Sequence, residues 1–165
     1  MISKINPSEI IVSHFKTFRR DRGNKFDWVS VIFQIALAVI LASVHVLYFK
    51  VSDDVVSIVV SVASIIAGLL LNLMVLIYTL VTGRLRISRS NIAILEEIGN
   101  ETIANIAFCI LASIVLVIAA LLNLTDNCYI NIIGHYLMIF FGVLVTLTML
   151  IVLVNFYTLI NNSVK

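Results

Sequence analysis

Val55–Thr82 reads VVSIVVSVASIIAGLLLNLMVLIYTLVT and holds no Asp, Glu, Lys or Arg. A helix of that length rises roughly 42 Å at 1.5 Å per residue, more than the ~30 Å of bilayer hydrocarbon. The stretch therefore predicts a membrane span that tilts or projects beyond the lipid. Its few small or polar residues, Ser57, Ser61, Ser64, Gly68, Asn72 and Thr79, recur by threes, fours or one double step. That spacing lines them along one helical face, with Ile, Val and Leu over the rest. Lipid offers hydroxyls and an amide no partner, so the stripe must meet protein or water. It is either a small-residue packing seam or the wall of a water-filled pathway in an oligomer.

Working outward, the composition is 61% hydrophobic and 12% charged over 165 residues, which is not that of a soluble globular domain. Apolar segments at about 28–49, 55–82, 103–124 and 129–160 are each long enough to cross a bilayer. The expected fold is an all-α membrane protein with four transmembrane helices in one compact domain over 27–161. A cytoplasmic basic amphipathic helix occupies 1–26, a short helix lies between spans two and three, and 162–165 form a cytoplasmic tail. The first apolar segment starts too late for a cleavable signal peptide. Cys109 and Cys128 have neither metal-ligand spacing nor the density of a disulfide scaffold.

Charge sets the orientation. Lys4, Lys16, Arg19, Arg20, Arg22 and Lys25 precede span one, and Arg84, Arg86 and Arg89 connect spans two and three. The opposite loops carry Lys50 against Asp53, Asp54 and Asp126. The positive-inside rule then puts both termini and the central connection in the cytoplasm.

Asn6, Pro7 and Glu9 suit a helix start, and Gly23 a C-terminal cap. Ile11, Phe15 and Phe18 share one face of that helix, which either lies on lipid headgroups or docks on the protein's own cytoplasmic side. Asp27 caps span one. Ser30, Gln34, Ala38, Ala42 and His45 form a second small-and-polar face, the expected partner of the stripe on span two. The short turn from Lys50 to Asp54 predicts that spans one and two are antiparallel neighbours. A short helix near 91–98 closes at Gly99. Span three carries Asn105, Cys109 and Ser113 on one face, and span four holds His135, Gly142, Thr146, Thr148 and Asn155.

The chemistry is bounded by an absence. No Asp, Glu, Lys or Arg lies well inside a span, whereas proton-coupled pumps and ion relays need buried ionisable groups. His45 and His135 come nearest, towards the outer ends; as a pair they could sense pH, or each could bond a neighbour. There is no carboxylate pair, nucleophile with a base, phosphate loop or His/Cys metal set, so the chain reads as a non-enzyme without cofactor. Asn72 and Asn155 could form rings around an oligomer axis, as ion-coordinating groups or as hydrogen-bonded clamps. The basic segments follow from the positive-inside rule, yet they are dense and rich in Arg. Lys16, Arg19, Arg20, Arg22, Arg84, Arg86 and Arg89 could together cradle a polyanion such as a nucleotide or short oligonucleotide.

The basic N-terminal helix, Ser52-Asp53-Asp54 opening span two, Ala67-Gly68-Leu69-Leu70-Leu71-Asn72-Leu73 within it and Tyr78 near its end carry a resemblance. The chain resembles small four-span membrane effectors of bacterial anti-phage defence operons, nearest the channel effector of the Hailong system. That resemblance implies an oligomeric inner-membrane channel partnered with a nucleotidyltransferase; the expected assembly is a symmetric homo-oligomer such as a tetramer. A DNA oligomer made by the enzyme would hold the channel shut, and its loss would depolarise the cell. The leading expectation is thus a ligand-gated channel or pore effector. The alternatives are a non-conducting membrane scaffold that recruits a cytoplasmic partner and a transporter of an uncharged solute.

Overall fold

The computed structural model describes residues 7–20, 25–82 and 89–164. Helix α1 spans Pro7–Lys16, strands β1 (Arg19–Arg20) and β2 (Lys25–Phe26) pair antiparallel, and four long helices follow. These are α2 (Trp28–Tyr48), α3 (Asp53–Thr82), α4 (Arg89–Asn123) and α5 (Cys128–Val164). All four are long and apolar enough to cross a membrane, which makes this a membrane protein set in a lipid bilayer.

Helices α4 and α5 form the central hairpin. Asn127 starts α5 by accepting the backbone N–H groups of Tyr129 (3.0 Å) and Ile130 (3.4 Å) on its Oδ1. The Asn131 carboxamide reaches back to the Asn123 carbonyl and ties the two helix ends together. Just beyond, Gly134 lets the backbones touch: a Cβ there would lie 2.6 Å from Asn123 N, 2.8 Å from Leu122 C and 2.9 Å from Ala119 O. Only a residue without a side chain fits.

The buried positions recur at sevens. Val56, Ala63, Leu70 and Ile77 line the inner face of α3, and Met138, Val145, Val152 and Leu159 that of α5. Between them α4 buries Ile106, Cys109, Ala112, Leu116, Ala119 and Ala120. A seven-residue period keeps one seam against its partner over many turns, the pattern of shallow left-handed crossings. The seam divides into an apolar cluster around Ile106 and Val152 and another around Leu116 and Met138.

The order of helices departs from the expected arrangement. Helix α3 packs on α4, whereas α2 packs on α5, so spans one and two are not packed neighbours. The small-and-polar face of span one meets α5 instead of the stripe on span two. Ala38 and Ala42 are fully buried there, and Gln34 Nε2 donates to Thr148 Oγ1 at 3.2 Å. The physical reason lies in the connection. Phe49 is extended (φ −123°, ψ 143°), and residues 49–52 carry the chain across the end of the hairpin, not back along α2. An apolar cleft of about 450 Å³ therefore opens between Leu37 and Leu41 of α2 and Val59 of α3, floored by Leu116 and Met138.

Two boundaries also differ. The short helix expected at 91–98 is the first part of one continuous α4, and Gly99 is buried inside it and does not close it. A helix absorbs such a glycine at about 1 kcal/mol relative to alanine, less than the cost of breaking a packed helix. The N-terminal helix ends at Lys16, where the Thr17 hydroxyl and N–H both turn back onto the His14 carbonyl; the expected cap Gly23 and N-cap Asn6 lie outside the described residues. Asp27 caps α2 as expected, accepting Ser30 N at 3.4 Å and Ser30 Oγ at 3.0 Å.

Replacing Gly134 by Ala should destabilise the protein by about 1–3 kcal/mol, because rigid backbone must move. At Gly142 an added methyl would meet nothing within 4 Å, so Gly142→Ala should change stability by less than about 0.5 kcal/mol. Unfolding by denaturant in mixed micelles measures both.

Candidate functional site

The stripe on α3 has a simple geometry: it points away from the chain's own helices. Ser57, Ser61, Ser64, Gly68, Asn72 and Thr79 are all exposed, because the seven-residue seam of Val56, Ala63, Leu70 and Ile77 takes the opposite side. Three of its hydroxyls turn back on their own helix. Ser61 Oγ donates to the Ser57 carbonyl (2.9 Å), Ser64 Oγ to Val60 (2.8 Å) and Thr79 Oγ1 to Leu76 (2.8 Å). Hydroxyls can be satisfied this way anywhere in a membrane helix. A carboxamide, with two donors and an acceptor, cannot. Asn72 has no hydrogen-bond partner among the described residues. A methyl at Gly68 would meet nothing within 4 Å. This face is smooth, open and unmet.

Asn155 does not join it. It lies half-buried on α5, which packs against α4 and α2, and no hydrogen bond links the two asparagines.

A second polar constellation lies where α1 docks on α4. His14 is 1% exposed although its helix carries Ser8, Glu9, Ser13 and Lys16 on the outside. Its ring stacks flat on Phe108, with centroids 3.9 Å apart and planes 3° from parallel, and Phe18 meets it edge-on at 5.3 Å. His14 Nδ1 lies 2.7 Å from the Asn105 side-chain oxygen, and Thr17 Oγ1 lies 3.1 Å from the same atom. In that orientation Asn105 Nδ2 is buried without a partner. With the carboxamide turned over, Nδ2 donates to both His14 Nδ1 and Thr17 Oγ1, and Thr17 donates to the His14 carbonyl. Only a carbonyl oxygen then stays unmet, the cheaper deficit, so chemistry favours this orientation and a ring proton on Nε2. Of the two expected docking modes for α1, the chain thus adopts the one on its own helices.

Of the phosphate-binding residues read from the sequence, Lys16 is exposed at the end of α1, beside a polar groove that also includes Ser13, Thr17, Asn100 and Glu101. The side chains of Arg19, Arg20 and Arg89, and the whole of Arg22, Arg84 and Arg86, lie outside the described residues. The two distant histidines do come together: His45 Nδ1 and His135 Nε2 are 2.8 Å apart. No cluster of three or more His, Cys, Asp or Glu side chains that could hold a metal occurs among the described residues.

The His14–Asn105 latch was missed by reading the sequence, although a signal existed. His14 sits on the apolar side of α1 with Phe15 and Phe18, and Asn105 is a lone amide near the start of an apolar run. Nothing in either segment says that they are partners, 91 positions apart. No family model, curated protein or solved structure matches this chain.

Burial pushes the His14 pKa below its ordinary 6.5. Docked α1 therefore holds fewer protons than released α1. Docking is fully favoured above pH ~6.5 and weakens as pH falls below it. Hydrogen exchange of the α1 amides should quicken between about pH 6.5 and 5 relative to that of α4, after correction for intrinsic rates. His14→Ala should weaken α1 docking at all pH values, by about 1–3 kcal/mol, because Asn105 loses its imidazole partner.

Proposed function

We propose that this chain is the subunit of an oligomeric membrane channel whose α3 helices face one another around a water-filled pathway. One observation carries the reading: α3, uncharged from Val55 to Thr82, turns its hydroxyl-and-amide face outward and leaves the Asn72 carboxamide without a partner among the described residues. Lipid cannot satisfy that group, and the chain's own helices do not, which supports either a second copy or water as its neighbour. Symmetric copies around an axis would bring the Asn72 side chains into a ring and the back-bonded serines into a polar, uncharged wall. Four helices in a row enclose no channel by themselves, so conduction requires assembly.

Gating is proposed to come from the end that holds both termini, taken as cytoplasmic from the charge asymmetry. Helix α1 is already latched to α4 there. An anionic ligand held by Lys16 and the arginines at 19, 20, 22, 84, 86 and 89 would bridge the N-terminal segment and the α3–α4 connection. Such a ligand shifts the closed–open balance only by its preference for one of the two states. The resemblance to anti-phage channel effectors supports a nucleotide or short DNA oligomer, made by a partner nucleotidyltransferase, that holds the closed state. Loss of the ligand would then depolarise the inner membrane.

Two measurements test this. Reconstituted in liposomes, the protein should pass ions, and Asn72→Leu should change conductance or selectivity while the purified oligomer stays intact. No flux from wild type with every candidate ligand removed would leave the scaffold reading. Separately, protein purified with its neighbouring genes expressed should retain an oligonucleotide that is lost with rising salt, and Arg20→Glu with Arg86→Glu should abolish retention. Retention that survives the double reversal would remove the collar from the site.

A further inference from the structure

At the end of the row opposite α1, two imidazoles meet across helices that the sequence separates by 90 positions. His45 lies in the last turn of α2 and His135 two turns into α5. Their rings stand edge to face, with centroids 5.0 Å apart and planes at 84°, and His45 Nδ1 is 2.8 Å from His135 Nε2. His135 is 7% exposed, His45 is half-buried, and Phe49 covers the other side of the His45 ring. We propose that this pair is a proton-operated clasp that holds the turn end of α2 against α5 and releases it when both rings are protonated.

The chemistry of the contact sets the logic. Two neutral imidazoles join through one N–H and one bare nitrogen. Adding one proton keeps that bond and makes it charge-assisted, with an imidazolium donating to a neutral ring. Adding the second leaves two N–H groups pointing at each other between two positive rings. The contact that was a bond becomes a repulsion, so the clasp withstands the first proton and opens at the second.

No other charge stands ready to compensate. Among the described residues, no hydrogen bond or ion pair joins either ring to Tyr48, Lys50, Asp53, Asp54, Asp126, Cys128, Tyr129 or Tyr136, the ionisable groups placed towards that end of α2, α3, the α4–α5 turn and α5. Helix α4 offers only the uncharged Asn123 there. Helix α2 is also the element that such a change can move. It packs on α5, and its polar ties to that helix include Gln34–Thr148 nearer its start and this clasp at its end. Opening the clasp leaves α2 hinged on its first turns, beside the apolar cleft that separates it from α3. The device is independent of whether the assembly conducts.

The test is a distance measured on the full-length protein in detergent micelles. Spin labels go on Leu47→Cys of α2 and Ile133→Cys of α5, both exposed, with Cys128→Ser in the background; Cys109 is fully buried and needs no change. Between about pH 8 and 5, the window in which imidazole takes up charge, the distribution should gain a longer component as pH falls. His45→Asn and His135→Asn, measured separately, should abolish that pH-dependent shift, because neither variant can carry two protons at the contact. Circular dichroism confirms that each variant keeps its helices. A wild-type distance that does not change over this window overturns the clasp, and so does a shift that persists in both single variants. If either variant fails to fold, the wild-type imidazole nitrogens followed by NMR decide: two linked steps support the pair, and a single independent step for each ring refutes it.

Discussion

The close approach of α4 and α5 underlies the rest of the structure. Gly134 lies on the α4 backbone at Ala119–Asn123, and the seven-residue steps of Met138, Val145, Val152 and Leu159 continue that contact along α5. Once the hairpin is set, it offers two sides. The bulky seam of α3 fits α4, and the alanine-rich face of α2 fits α5. The result is a row with a cleft between its outer helices. Apolar side chains gain little from helix association in lipid, so tight backbone approach and regular seams carry the packing.

Polar side chains are sorted by what they can satisfy locally. The Ser and Thr hydroxyls at 43, 61, 64, 79, 113, 146 and 158 bond to carbonyls of their own helix and carry little information about tertiary contacts. Amides and imidazoles cannot do this, and they mark the docking points: Gln34 with Thr148, His45 with His135, and His14 with Asn105. Asn72 looks outward, exposed and without a partner among the described residues, and the proposed assembly rests on it. One physical rule, that lipid leaves no polar group free, thus accounts both for the fold's internal clasps and for its unmet face.

The two histidine contacts sit at opposite ends and act on different elements. His14 holds α1 to α4 where the termini gather, and His45 holds α2 to α5 beside the turns. The central seam, by contrast, contains no ionisable group besides Cys109, whose thiol points to the Val145 carbonyl at 3.7 Å. The proposed pH responses thus belong to α1 and α2 and not to the central seam.

The sequence by itself determined the spans, because charge-free runs of this length have one stable form in a bilayer. It also determined the Asp27 cap, the helix start at Pro7 and the single face shared by Ser57, Ser61, Ser64, Gly68 and Asn72, all properties of local spacing. Which face met which was another matter. Span one was matched to span two on short connection and shared polarity, but an extended linker can cross the end of a hairpin as readily as close a turn. The seven-residue seams were present in the sequence yet were hidden, since lipid-facing and buried positions in a span are equally apolar. Partners 90 or so positions apart, such as His14 with Asn105 and His45 with His135, carry no local mark of each other. Only the tertiary structure decided them, because a polar group's need for a partner is written in its chemistry, while the partner's identity is set by how the helices pack.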